Sequence, residues 1–254
     1  MKPFTTVHLH NVPDDKVDAY ADWFDGEHRV KLGALRGFSG AERYEVAEGQ
    51  VMSHIPQPWR FASVYDFDLQ SPEVDIPALG PLLADVRDNG MIADDGTERI
   101  YTYKMFSDWQ PSSNWQSDKP FSGVSILLGN YTPGRYQEYQ DWYENVHAAE
   151  VTGGPGHVAM KRGELYPVQI EPRHYCPGDQ LVLAAQQTDD LPFCTEEFAA
   201  RGTGKSPSGK NHTRRSSSAS IARTVHYFTK ISGTEFWPGG TAYDGDWSVY
   251  PGRS

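Results

Sequence analysis

One seven-residue pattern occurs twice in this chain, and the register between the copies limits what the chain can fold into. Asp22-Trp23-Phe24-Asp25-Gly26-Glu27-His28 reads acid, Trp, aromatic, acid, two variable positions, His; Asp141-Trp142-Tyr143-Glu144-Asn145-Val146-His147 reads the same way. The offset is 119 residues at both the Trp (23 to 142) and the His (28 to 147). It holds upstream, where Tyr20 matches Tyr139, and downstream, where Arg43-Tyr44-Glu45-Val46 matches Arg162-Gly163-Glu164-Leu165. A register kept that long indicates an internal duplication. Each copy then builds half of a 254-residue chain, which is long enough for two modest cores at roughly 100–200 residues per domain.

The segments around each copy repeat one order of elements. Phe4 to Asn11 alternates as a strand, with Val7 and Leu9 on one face and Thr6, His8 and His10 on the other. Pro13, Asp14 and Asp15 suit the start of a helix whose apolar face carries Val17, Tyr20, Phe24 and either Glu27 or His28. Gly33 and Gly37 end it, Ala41 to Ala47 and Phe61 to Leu69 read as strands, Leu79 to Asp88 as a helix, and Arg99 to Phe106 as a fourth strand. The second half repeats this with strands at Phe121 to Asn130, Val158 to Tyr166, Gln180 to Gln187 and Arg223 to Ile231. Its helices open at Pro133 and at Phe193. The order β-α-β-β-α-β in each half predicts an α+β fold of tandem ferredoxin-like repeats whose sheets close into one intrachain barrel. The expected boundaries are residues 1–107 and 121–233 for the repeats and 108–120 for a Pro/Ser-rich linker. A basic insert spans 202–220 (Lys205, Lys210, Arg214, Arg215), and a tail carrying Trp247 and Tyr250 spans 234–254. The insert reads as a solvated loop or as a lid bringing cations to a carboxylate-bearing ligand; the tail is expected to lie across a surface.

Composition narrows the function. With 23 basic and 34 acidic side chains the net charge is −11, which disfavours nucleic acid and anionic membranes as partners. No apolar run is long enough to span a bilayer and no signal peptide opens the sequence, so a cytoplasmic protein is expected, with Cys176 and Cys194 as reduced thiols. There is no GxGxxG between strand and helix, no Walker loop, no HExxH and no GxSxG. Dinucleotide binding, phosphoryl transfer and serine hydrolysis are therefore disfavoured, and no cofactor is expected.

Several side chains could carry chemistry. His8 and His10, two apart on one strand face, suit structural, acid–base or metal-binding roles. His28 and His147 are expected near helix C-termini, where the dipole favours the protonated ring, and on the face turned to the sheet, with Trp23 and Asp25 to the sides. They read either as core histidines kept by the duplication or as two copies of an old ligand site. Tyr44, Tyr65, Tyr101 and Tyr103 sit on the strands predicted to be inner, where a phenol near a histidine can orient a flat substrate. Because the second half puts Leu127 at the place of His8 and Gly163 at that of Tyr44, the first half is the better candidate for the active one. His147, Glu150, Arg162, Glu164 and His226 are the polar candidates of the second.

The Trp23-Phe24-Asp25-Gly26-Glu27-His28 and Trp142-Tyr143-Glu144-Asn145-Val146-His147-Ala148-Ala149-Glu150 stretches resemble the dimeric α+β barrel superfamily, and within it the EthD-like branch, whose helix carries a Trp/Tyr-x-x-x-His pattern after the first strand. The resemblance covers residues 4–106 and 121–231. It implies a ligand cleft between sheet and helices, with His28 and His147 in the place of the family histidine and His8, Tyr44 and Tyr65 beside it by position. The fusion, the basic insert and the tail depart from the simple family pattern. The superfamily includes cofactor-free cyclases, dehydratases and decarboxylases, small monooxygenases and haem enzymes. The expected function is therefore a cofactor-independent lyase or cyclase acting on a small aromatic or polyketide-like compound, carboxylated ones included. Its catalytic set is drawn from His8, His10, His28, Tyr44, Tyr65, Tyr103 and His147. A haem oxidoreductase, with His147 or His226 as iron ligand, and a non-catalytic binding protein are the alternatives, and a homodimer is a further expectation.

Overall fold

In the computed structural model, which describes residues 2–170, 178–212 and 219–233, strand β1 (Lys2–His10) sorts its side chains by parity. Val7 and Leu9 enter one apolar cluster, and Phe4 enters another on the opposite face, where His8 and His10 also lie buried. Helix α1 (Val17–Trp23), a π-helical turn (Phe24–His28) and α2 (Arg29–Gly33) follow as one continuous rod. The half continues through β2 (Phe38–Val46), β3 (Phe61–Leu69), α3 (Pro72–Asp75), α4 (Gly80–Asp88) and β4 (Arg99–Met105). The expected linker contributes a two-residue strand, β5 (Gln110–Pro111), which pairs with a later strand. The second half runs through β6 (Gly123–Tyr131), α5 (Tyr136–Trp142), a second π-helical turn (Tyr143–His147), α6 (Ala148–Thr152), β7 (His157–Leu165), β8 (Gln180–Gln186), α7 (Leu191–Thr203) and β9 (Ser220–Gly233).

Hydrogen bonding orders the long strands β4-β1-β3-β2-β9-β6-β8-β7, and β7 pairs back onto β4. All these pairings are antiparallel, so eight strands close into an α+β barrel with no long edge left open. The barrel interior is a filled core. Val7, Leu9, Tyr44, Ala62, Val64, Tyr101, Tyr103 and Met105 of the first half meet Val124, Ile126, Leu128, Leu181, Leu183 and Phe228 of the second. The rods pack outside, α1–α2 over Phe61, Tyr65 and Phe67, and α5–α6 over Met160, Val182 and Ala184. Burying a ring the size of Phe24 or Phe61 removes it fully from water, a contribution of roughly 1.5–3 kcal/mol each.

The two halves match in fine detail, at the 119-residue offset through their first three strands and at a longer one in the last. Gly37 and Gly156 both turn the chain from rod to strand at positive φ (75° and 71°), a conformation that L side chains avoid. A Cβ on Gly37 would also stand 2.2 Å from the carbonyl oxygen of Asp68, so bulk is excluded there as well. Thr6 pairs with Thr102 and Tyr65, and Ser125 pairs with Tyr227 and Ala184, which makes Thr102 and Tyr227, and likewise Tyr65 and Ala184, equivalent positions. Gln50 donates to the carbonyls of Ala47 (2.9 Å) and Tyr227 (2.8 Å) and accepts from the Tyr227 N–H (2.9 Å). Gln169 donates to the carbonyls of Tyr166 (2.6 Å) and Thr102 (2.9 Å) and accepts from the Thr102 N–H (2.9 Å). Each half therefore lays its loop between second and third strands across the last strand of the other and fastens it with the same glutamine.

Candidate functional site

The π-helical turns explain the spacing of the repeated motif. Bonding from i to i+5 places side chains five apart on one line, so Trp23 stacks on His28 (centroids 4.1 Å, 22°) and Trp142 on His147 (4.1 Å, 18°). The sequence expectation that Trp23 lies to the side of the helix is corrected: it is buried against the histidine. The expectation that the helix dipole protonates His28 is also corrected. The rod continues through α2, so His28 is not at a helix end, and burial, with smaller contributions from His8 and Lys31, lowers its pKa to about 3. The imidazole is neutral at physiological pH.

Around His28 the first half is closed and partly bonded within itself, with the second ring nitrogens of His8, His10 and His28 left buried and without a hydrogen-bond partner among the described residues. His28 Nε2 meets the Tyr65 hydroxyl at 3.2 Å, and His8 Nε2 meets Glu98 Oε1 at 2.7 Å. The other Glu98 oxygen accepts from Arg87 Nε at 2.8 Å, and the Tyr20 hydroxyl lies 3.2 Å from Ser63 Oγ. The His10 ring lies tilted 4.3 Å from that of His8, and burial, with the neighbouring His8, holds it well below its usual pKa. Tyr44 and Tyr103 are not part of this group. They face the barrel interior, where Tyr44 donates to Glu42 and Tyr103 donates to the carbonyl of Gly178 at 3.0 Å. The tyrosines read together as inner-strand residues are thus split by strand parity, with Tyr65 alone turned to the helices.

A cavity of about 350 Å³ lies in the second half, between β-sheet, α5–α6 and α7. Of the residues singled out from sequence for the catalytic set, His147 lines it and His8, His10, His28, Tyr44, Tyr65 and Tyr103 do not. His147 Nδ1 lies 3.1 Å from Glu150 Oε2, its partner one helical turn on, and both side chains are mostly buried. A carboxylate only accepts, so this contact is Nδ1–H donating to Glu150. Tyr143, Ser125 and Tyr227 add hydroxyl-bearing side chains to the lining; Leu127, Val182 and Val225 add apolar wall. Burial raises the Tyr227 pKa, so that hydroxyl stays protonated, and it donates to the neutral His157, whose Nδ1–H is given to the Pro155 carbonyl (3.2 Å). Behind it His157 Nε2 lies 3.1 Å from the Tyr227 oxygen, and burial lowers the His157 pKa to about 4.

Two covering pieces come from loops. Val51, Met52 and His54 of the first half's clamped loop form one side of the cavity. Gly202, Thr203 and His212, from the end of α7 and the expected insert, form another. The described part of that insert is tied down, because Ser206 and Ser208 both donate to Glu197 Oε1 of α7 (2.6 and 2.7 Å) and the His212 N–H donates to the Arg201 carbonyl. Arg214, Arg215, Cys176 and the tail from 234 lie outside the described residues, as do the roles expected of them.

The remaining second-half candidates sit elsewhere. Arg162 lies over the Tyr143 ring (4.2 Å) and donates to Gln140, Glu164 accepts from Tyr136, and His226 packs with Gln57 and Trp59. Sequence reasoning missed Ser125, Tyr227 and His157. The signal for Ser125 was its place between apolar Val124 and Ile126 at the register of Thr6. Among the described residues no group of three or more His, Cys, Asp or Glu is placed to hold a metal ion, and no helix is long and apolar enough to cross a membrane. A haem is a poor fit to this cavity. The volume suits a molecule of two or three rings, and among the described residues the lining is largely apolar and has no Lys or Arg side chain for propionates.

No family model and no curated protein matches the sequence. Solved structures do match in shape. A candidate monooxygenase from Fusobacterium nucleatum aligns at 12% identity over 91% of this chain and 94% of its own, with a TM-score of 0.55. An anthrone oxidase-like protein aligns at 8% identity over 92% and 93%, with a TM-score of 0.53. A candidate chlorite dismutase aligns at 14% over 91% and 96%, with a TM-score of 0.52. At these identities the likeness is one of fold, an α+β architecture whose antiparallel strands close into a barrel.

Proposed function

We propose that the chain is a cofactor-independent enzyme that removes or relays a proton on a small aromatic or polyketide-like molecule held in the second-half cavity. The carrying observation is the His147–Glu150 pair lining a mostly apolar cavity that also takes up Tyr143, Ser125 and Tyr227. In this reading His147 Nε2 is the base, and Glu150 holds the ring and offsets the charge it acquires. Proton removal next to an aromatic carbonyl or phenol yields a delocalised anion. Loss of water, loss of carbon dioxide or ring closure from that anion is lyase or cyclase chemistry, and the substrate's own leaving group decides which. We also infer that the halves, 1–107 and 121–233, are tandem ferredoxin-like repeats joined through 108–120, which the matched glutamine clamps and strand registers support.

The test is turnover of a panel of hydroxylated and carboxylated naphthalenes and anthrones by wild type, His147→Gln and Glu150→Gln. Loss of a general base lowers kcat by about 10²–10⁴-fold, and loss of its orienting carboxylate by less. Undiminished kcat in His147→Gln on a substrate that wild type converts would end the assignment.

A further inference from the structure

Comparing equivalent positions in the two halves shows why the space beside His147 is open where that beside His28 is filled. The rods carry the same stacked Trp–His pair, so the difference lies in the sheet beneath. Where the first half has Tyr65, the second has Ala184; where it has His8, the second has Leu127; and where it has Ser63, the second has Val182. The clamped loops also differ in what they deliver: Ile170, at the position equivalent to Val51, packs into the first-half core, whereas Val51 lines the cavity. The space beside His28 is therefore filled by a phenol that grows from its own strand, and that phenol's hydroxyl rests on the histidine at 3.2 Å.

We propose that Ala184 is the residue that determines what the second-half cavity admits, and that the admitted molecule is a flat phenolic ring system whose hydroxyl meets His147 as the Tyr65 hydroxyl meets His28. The first half thus contains, as part of its own chain, the arrangement that the second half completes with a ligand. Several observations converge on that class. The histidine and its stacking Trp are common to both halves, the replacement of Tyr65 by Ala opens space for one aromatic ring, and Leu127, Val182 and Val225 turn the surrounding wall apolar. The volume of about 350 Å³ exceeds one phenol and leaves room for a fused second ring. The inference deepens the reading of this cavity as a substrate site, but it concerns fit and not reaction.

The experiment is equilibrium binding of 2-naphthol, followed by its fluorescence, to the full-length chain and to Ala184→Tyr and Ala184→Leu. Circular dichroism and a cooperative melt report the fold of each. Wild type is expected to bind, and both variants to weaken binding by at least about tenfold, Ala184→Tyr most. Its methyl ether, 2-methoxynaphthalene, cannot donate to His147 and is expected to bind wild type several-fold more weakly. No binding of 2-naphthol to wild type, or unchanged binding in a folded Ala184 variant, overturns the proposal; if Ala184→Tyr fails to fold, Ala184→Leu decides. Equal binding of the ether removes the hydroxyl from the assignment. Because binding requires no turnover, His147→Gln can fail as a test of chemistry while Ala184→Leu succeeds as a test of fit, and the reverse.

Discussion

His157 lies fully buried beneath the cavity wall, and its ring takes a proton only near pH 4, whereas an unfolded histidine does so near 6.5. Between those values the unfolded chain binds more protons than the native one, so stability declines as the pH falls from 6.5 toward 4 and is unaffected by this group above 6.5. His28 and His226, with pKa values lowered by burial to about 3 and about 4, act with the same sign. For His157 the full effect is on the order of 3 kcal/mol. Urea unfolding at a series of pH values should therefore show the free energy falling below pH 6.5, and His157→Phe should flatten that fall by about one proton per molecule. At this scale the sequence was partly legible. The paired histidines 28 and 147 stood out through their shared register, and both bury toward the sheet. Which of them faces open space did not, because that depends on Tyr65 and Ala184, residues that reach them only through strand pairing.

Among the elements, the two rods depend on a backbone count that a 3.6-residue reading cannot see. Trp142 and His147 are five apart, out of phase on an α-helix, and they meet because the turn between them is π-helical. The five-residue spacing, present in both copies, was the available signal. Deleting the exposed Asn145 would restore α-helical bonding and rotate α5 by about 100° against α6, carrying Tyr139 and Trp142 off the sheet. We expect a loss of at least about 3 kcal/mol in urea unfolding, whereas Asn145→Ala, which keeps the count, should cost under about 1 kcal/mol. The glutamine-fastened loops allow a similar contrast. Gln50→Ala and Gln169→Ala each remove three hydrogen bonds to backbone groups, at a cost of about 1–3 kcal/mol. Only Gln50→Ala should also weaken 2-naphthol binding, since its loop carries Val51 and Met52 into the cavity.

For the molecule as a whole, alternation located the long strands well; Phe61–Leu69 matches its expected limits, and β9 begins three residues before its expected start. Alternation could not say which face of each strand would be inside, because both faces are buried, one by the barrel interior and one by the helices. Polar residues such as His8, His10 and Ser63 on the helix side, and Glu42, Asp66 and Lys161 among the buried residues, made both faces read as mixed. Closure of the barrel within one chain has a consequence for variation. Where two identical subunits associate about a two-fold axis, any change at one position appears twice, so a side chain cannot grow on one side and shrink on the other. Covalent joining lifts that restriction. Here it lets His28 sit as a neutral member of the core while His147, at the matching position, lines a cavity, so two copies of one motif keep different surroundings at two addresses in the same polypeptide.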